Sequence, residues 1–181
     1  IIKAQMNINH QWSFNPKNSL PQGANVDNRG IVKDASGNIY VTGWLTSSAD
    51  FDPNAGVSYL TSNGGSDIYL AKYNAAGNLL WAKNMGGSGN DQAYAIDIDN
   101  TGNVYLTGYF NTTVDFDPNA GVQNRTSVGS NDIFVAKYDP NGNYVFAQTA
   151  GSTMLEYSNA LDVNATQVYI TGSLNGTADF D

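Results

Sequence analysis

Cysteine is absent, histidine occurs once, and 8 basic residues face 16 acidic ones. Without cysteine there is no disulfide, no thiolate metal site and no thiol nucleophile, although the compartment stays open. The single histidine, His10, falls at a tight turn. With no cysteine, and with His10 reading as a turn residue, neither a Cys-His nor a Ser-His-Asp arrangement is expected in the chain. A net charge of −8 leaves no basic footprint for nucleic acid or for an anionic membrane surface. No apolar run approaches the length that spans a bilayer, no signal peptide is visible, and no window carries a sustained helical stripe.

What the chain has in plenty is short apolar runs, Tyr, Gly and Asn, and these return in order. Residues 37–43 read Gly-Asn-Ile-Tyr-Val-Thr-Gly and residues 102–108 read Gly-Asn-Val-Tyr-Leu-Thr-Gly. A third, partial copy, Gln-Val-Tyr-Ile-Thr-Gly, occupies 167–172. From Gly43 to Gly108 is 65 residues, and from Gly108 to Gly172 is 64. A fixed period of this size marks one supersecondary unit stacked on copies of itself.

Each copy resolves into four strands. The first is expected at 30–34, 95–99 and 160–164, the second from Val104 to Phe110 and its equivalents. The third reads Asp-Ile-x-x-Ala-Lys-Tyr at 67–73 and again at 132–138, and the fourth lies at 79–83 and 144–148. Gly/Asn turns join them. Along the second strand Ile39 and Val41 point one way, Tyr40 and Trp44 the other, so both faces need cover. The sequence thus predicts an all-β fold, a β-propeller of four-stranded antiparallel blades with essentially no helix. Residues 1–181 form one segment: half a blade (1–16), two blades (28–85 and 94–149) and another half (159–181). Lys3 and Trp12 carry the pattern into the first half, in step with Lys72 and Trp81.

The Gly-Asn-x-Tyr-x-Thr-Gly, Asp-Phe-Asp-Pro, Asp-Ile-x-x-Ala-Lys-Tyr and Gly-Asn-x-x-Trp-Ala-Lys elements together resemble the bacterial SBBP repeat family, over nearly the whole chain. The resemblance implies a propeller in a secreted or surface-attached bacterial protein, often large and multidomain, with no established enzymatic activity. The longer 16–28 loop, and Gln167 where the other copies have Asn, depart from the pattern.

The long connection after the second strand, 48–65, holds the best candidate chemistry. Asp50, Asp52 and Asn54 recur as Asp115, Asp117 and Asn119, and the rhythm begins again at Asp179 and Asp181. Oxygen ligands at alternate positions followed by Gly suit Ca²⁺. The same residues also suit plain Asx turns, with Pro setting the bend and Phe51 or Phe116 plugging the space between blades. Residues 57–62 fit an extra edge hairpin. Asp34, Asp97, Asp99 and Asp162 are candidates to line an axial channel. Trp44 and Tyr109 are candidates for an exposed, sugar-stacking rim, although packing between blades is the commoner use of Tyr and Trp at such positions. The Gly-rich 86–90 lacks a phosphate loop's Gly-Lys-Ser/Thr ending and reads as a link between blades. Glu156, the sole glutamate, lies in a loop.

The expected role is a non-catalytic extracellular scaffold or protein-binding platform, its loops stiffened by Ca²⁺. The alternative is a lectin-like, carbohydrate-binding propeller. Three blade-equivalents fall short of a ring. The chain therefore reads as part of something longer, or as one half of a homodimer that closes six blades.

Overall fold

The computed structural model describes residues 25–177, and everything in this stretch is strand, turn or loop. The first unit contains β1 (Asn25–Lys33), β2 (Ile39–Thr46), β5 (Asp67–Tyr73) and β6 (Leu79–Gly87), paired antiparallel in that order. Between β2 and β5 a short ribbon, β3 (Ser48–Asp50) with β4 (Tyr59–Thr61), stands off the main sheet. The second unit repeats the plan with β7 (Gln92–Ile98), β8 (Val104–Asp115), β9 (Asn124–Tyr138) and β10 (Tyr144–Ala150). A further pair, β11 (Tyr157–Val163) and β12 (Val168–Ser173), begins the plan a third time. The fold is all-β and antiparallel, as expected, and no helix occurs among the described residues. The half unit expected at 1–16 lies outside them.

Of the hairpin expected at 57–62, residues 59–61 form one strand, β4, whose partner is β3 on the far side of the loop. In the second unit the same ribbon is continuous with its parent strands: Thr113, Val114 and Asp115 pair with Thr126, Arg125 and Asn124. The end of β6 joins this ribbon, Gly86 opposite Asp115 and Gly87 opposite Val114. The two sheets are therefore stitched by backbone bonds as well as by side chains.

The inner strands begin earlier than expected, at Asn25, Gln92 and Tyr157. Asn and Asp are poor strand formers, so local propensity hides the start of β1. What makes them strand is a β-bulge repeated at Arg29, Tyr94 and Asn159, across which pairing resumes after a one-residue shift. The bulge also explains the glycine of each Thr-Gly. A Cβ on Gly43, Gly108 or Gly172 would run into the backbone oxygen of Asp27, Gln92 or Tyr157, just ahead of the bulge. Only a residue without a side chain lets the two backbones approach there.

Alternation along the strands supplies two cores. Tyr40, Ile68, Leu70 and Met85 of the first unit pack with Val104, Leu106, Phe110, Phe134, Ala136 and Tyr138 of the second. Val41, Leu45, Tyr69, Ala71 and Tyr73 fill a separate cluster on the other face of the first sheet. Each fully buried large side chain contributes about 1.5–3 kcal/mol of transfer free energy. Apolar residues on both faces are thus the glue between successive sheets. Strand β7 packs against β1 on one flank and β11 on the other.

Candidate functional site

The Asp-Phe-Asp-Pro loops are closed by their own hydrogen bonds. Asp50 Oδ1 accepts from the amides of Asp52 (3.0 Å) and Ser58 (2.8 Å). Asp115 Oδ1 does the same for Asp117 (3.0 Å) and Gln123 (2.8 Å). Asp52 and Asp117 then accept from the amides of Asn54 (2.8 Å) and Asn119 (2.9 Å). This is successive Asx turning, in which a short carboxylate satisfies backbone donors that no strand covers. Asn119 Oδ1 is met by the Lys83 ammonium at 2.6 Å, and Asn54 Nδ2 donates to Asn78. No group of three or more His, Asp or Glu side chains positioned to hold a metal occurs among the described residues. Asp179 and Asp181 lie outside them.

The phenylalanines of these loops are buried plugs. Phe51 lies 4.9 Å from Tyr69, and Phe116 lies 5.6 Å from Phe110 and 5.2 Å from Phe134 between ring centroids. Tyr73 and Tyr138 donate their phenol protons to the carbonyls of Phe51 (2.9 Å) and Phe116 (3.0 Å). The tyrosine of each Ala-Lys-Tyr therefore holds the loop down.

The lysine beside it has its own task. Lys137 Nζ stands 4.8 Å over the Tyr105 ring and 3.5 Å from Asp99. Lys72 Nζ sits 4.9 Å over Tyr40 and donates to the Pro140 carbonyl at 3.0 Å. The bond to Tyr105 and the nearby Asp99 carboxylate push the Lys137 ammonium up from its ordinary pKa, against a smaller effect of burial. These contacts border a groove of about 410 Å³ between the β1–β2 and β7–β8 turns, lined by Asp34, Tyr40, Lys72 and Asp99.

The expected channel aspartates are mostly spent on backbone. Asp34 and Asp99 tie their turns through the amides of Asn38 (2.8 Å) and Asn103 (2.9 Å). At Asp99 burial pushes the carboxyl up, but donors from Asn103 and Thr101 outweigh it and hold it well below the usual range. Asp97 Oδ2 accepts from the Val163 amide at 2.8 Å, linking β7 to β11. Asp162 is exposed.

Trp44 and Tyr109 correct the exposed-rim expectation: they are only 9% and 8% accessible. They belong to a row that crosses the units, Trp44 to Tyr94 (5.5 Å), Tyr94 to Tyr109 (5.9 Å) and Tyr109 to Tyr157 (5.3 Å). The Arg29 guanidinium lies 4.5 Å over Trp44 while pairing with Asp27 at 3.0 Å. Burial, with Tyr94 and Tyr157 alongside, pushes the Tyr109 phenol up to about 12. The rings are thus occupied with one another.

Sequence reading missed four buried acids at the junctions between units: Asp67 with Asp91, and Asp132 with Glu156. The available signal was an acid recurring at a spacing of 24 residues in both copies.

Comparison with known proteins places these repeats in distant company. No family model matches the chain. It is 31% identical over 115 residues to an uncharacterized WD repeat-containing protein, L264, of Acanthamoeba polyphaga mimivirus, covering 55% of this chain and 8% of that protein. It is 25% identical over 151 residues to the regulatory protein FlaEY of Caulobacter vibrioides, covering 83% of this chain and 16% of the relative. The chain thus spans under a fifth of either relative's length.

Proposed function

We propose that the chain is a β-propeller segment whose units stand as blades about one axis, serving as a non-catalytic binding scaffold of a secreted or surface bacterial protein. The observation that carries this is the placing of β7 between β1 and β11. Equivalent inner strands adjoin one another, as spokes meet at a hub. Similarity to a WD repeat-containing protein supports the same architecture. The resemblance to SBBP repeats and the acidic balance support the extracellular setting.

The partner-facing surface is where the units differ although their backbones repeat. Around each bulge stand Asp27 and Arg29 in the first unit, Gln92 and Tyr94 in the second, and Tyr157, Asn159 and Ser173 in the third, all exposed or half-buried. Positions that serve only folding repeat, as Gly43, Gly108 and Gly172 do. These do not, which suits recognition. Ring closure needs further units, and a second copy closing six blades is the arrangement we propose for the isolated chain.

Electron microscopy of the purified chain, with light scattering on the same sample, tests the architecture. Ring-shaped particles of two-copy mass are expected. Units arrayed without a common rotation axis would overturn the propeller reading.

A further inference from the structure

Asp67 opens β5 and Asp132 holds the equivalent place within β9, 0% and 2% accessible, and in both the Oδ1 atom is sealed from solvent without a hydrogen-bond partner. The other oxygen accepts from the amide of Asn63 (2.9 Å) or Val128 (3.0 Å). Each carboxyl lies against a glycine at or just past the end of the following strand, Gly86 of β6 or Gly151 after β10, where a Cβ would overlap the carboxyl atoms. The space is kept for the acid in both copies.

A second buried acid stands next door. Ser66 bridges Asn90, and Asn131 bridges Leu155, in parallel fashion. The Asp91 amide therefore donates to the Ser66 carbonyl at 2.6 Å, and the Glu156 amide to that of Asn131 at 3.0 Å. Asp91 accepts from the Gly87 (2.8 Å) and Asn111 (3.0 Å) amides, and Glu156 from the Ser152 hydroxyl at 2.6 Å. The groups facing Asp67 are the Asn63 and Gly64 amides, the Asn84 side chain and Asp91. Asp91 also faces the Tyr109 phenol, and Asp132 faces the Val128 and Gly129 amides and Glu156. None of these neighbours is a cation.

Two ionised carboxylates sealed together without a cation are strongly disfavoured. A divalent ion wants six or more oxygens, whereas each junction presents one bare oxygen. A proton satisfies that count. We propose that each junction between units is a proton latch, in which at least one of its two buried carboxyls is protonated at neutral pH, so that the stack of sheets tightens in mild acid and loosens as pH rises. Burial pushes Asp67 and Asp132 up from the ordinary carboxylate range, and Asp91 to about 7. An acid raised in the folded state is unpenalised below its unfolded value. It loses stability as pH climbs from about 4 toward the folded value, then levels off.

The test is the melting temperature of the whole chain from pH 5 to 8, for the natural protein and for Asp67→Asn with Asp132→Asn. The natural protein is expected to lose about 5 °C or more across that range, and the neutral isosteres to flatten the slope while keeping stability at pH 8. Asp91→Asn, made separately, should flatten it in part. The infrared carbonyl band of a protonated acid should be present at pH 7 and absent from the double variant if it folds. A flat natural profile without that band, or a rise in melting temperature with CaCl₂ at pH 8 that the double variant lacks, overturns the proposal.

Discussion

The Tyr138 hydroxyl donates to the Phe116 carbonyl at 3.0 Å, across 22 residues of chain, and Tyr73 repeats the bond to Phe51 at 2.9 Å. It joins two motifs that look unrelated in sequence, the Ala-Lys-Tyr end of a third strand and the Asp-Phe-Asp-Pro loop that precedes it. Both partners are buried, so neither finds water if the other is lost.

Tyr138→Phe should therefore cost about 1–3 kcal/mol, the penalty of stranding a buried carbonyl, with little change in shape. Urea denaturation measures it. A cost within about 0.5 kcal/mol, the range of ordinary surface substitutions, would mean the loop is held by Phe116 packing alone.

Gly108→Ala tests the bulge. The added Cβ falls on the Gln92 carbonyl and on backbone atoms of Ala93, which no rotamer can relieve. A loss of about 3 kcal/mol or more is expected, among the largest for a single methyl group. Thermal unfolding reports it, and a near-neutral result would deny the close approach of β7 and β8.

For the Asp-Phe-Asp-Pro loops the two sequence readings differ on chelation. Self-contained Asx turns need no ion, so EDTA should leave the melting temperature unchanged while Asp115→Ala lowers stability by about 1–2 kcal/mol through its lost backbone bonds. A marked fall with EDTA, restored by CaCl₂, would assign Asp115, Asp117 and Asn119 as ligands.

The turn aspartates set the acid limit. Asp34, Asp99 and Asp139 are held below the ordinary carboxylate range by amide and side-chain donors that outweigh burial. A depressed acid contributes stability above its unfolded value, about 4, and loses it as pH falls further. Together with the opposite trend at the unit junctions, this predicts greatest stability near pH 4–5. Melting temperatures from pH 2 to 8 should trace one maximum there.

The repeat, its strand order and the two apolar faces were legible in sequence because alternation and turn chemistry are local and act within a few residues. Phe51 and Phe116 read correctly as plugs for the same reason: an aromatic in a polar loop has nowhere to go but inward. For Trp44 and Tyr109 the sequence offered both a solvent-facing rim and packing between units, since an aromatic on a strand looks alike whether it faces solvent or another ring, and the structure shows packing. Their burial depends on Tyr94 and Tyr157, which arrive from other strands.

The amino-acid sequence by itself determined that this protein is a series of 65-residue, four-stranded antiparallel units, because period, β-alternation and Gly/Asn turns are properties of neighbouring residues. Only the tertiary structure decided the bulges at Arg29, Tyr94 and Asn159, the ribbon stitching β6 to β8, and the buried acids at the junctions. The ribbon and the acid junctions come from strands meeting across 24 or more residues, and the bulges from partners 11–15 residues apart. There backbone sterics and exclusion of water set the outcome, and local propensity does not record them.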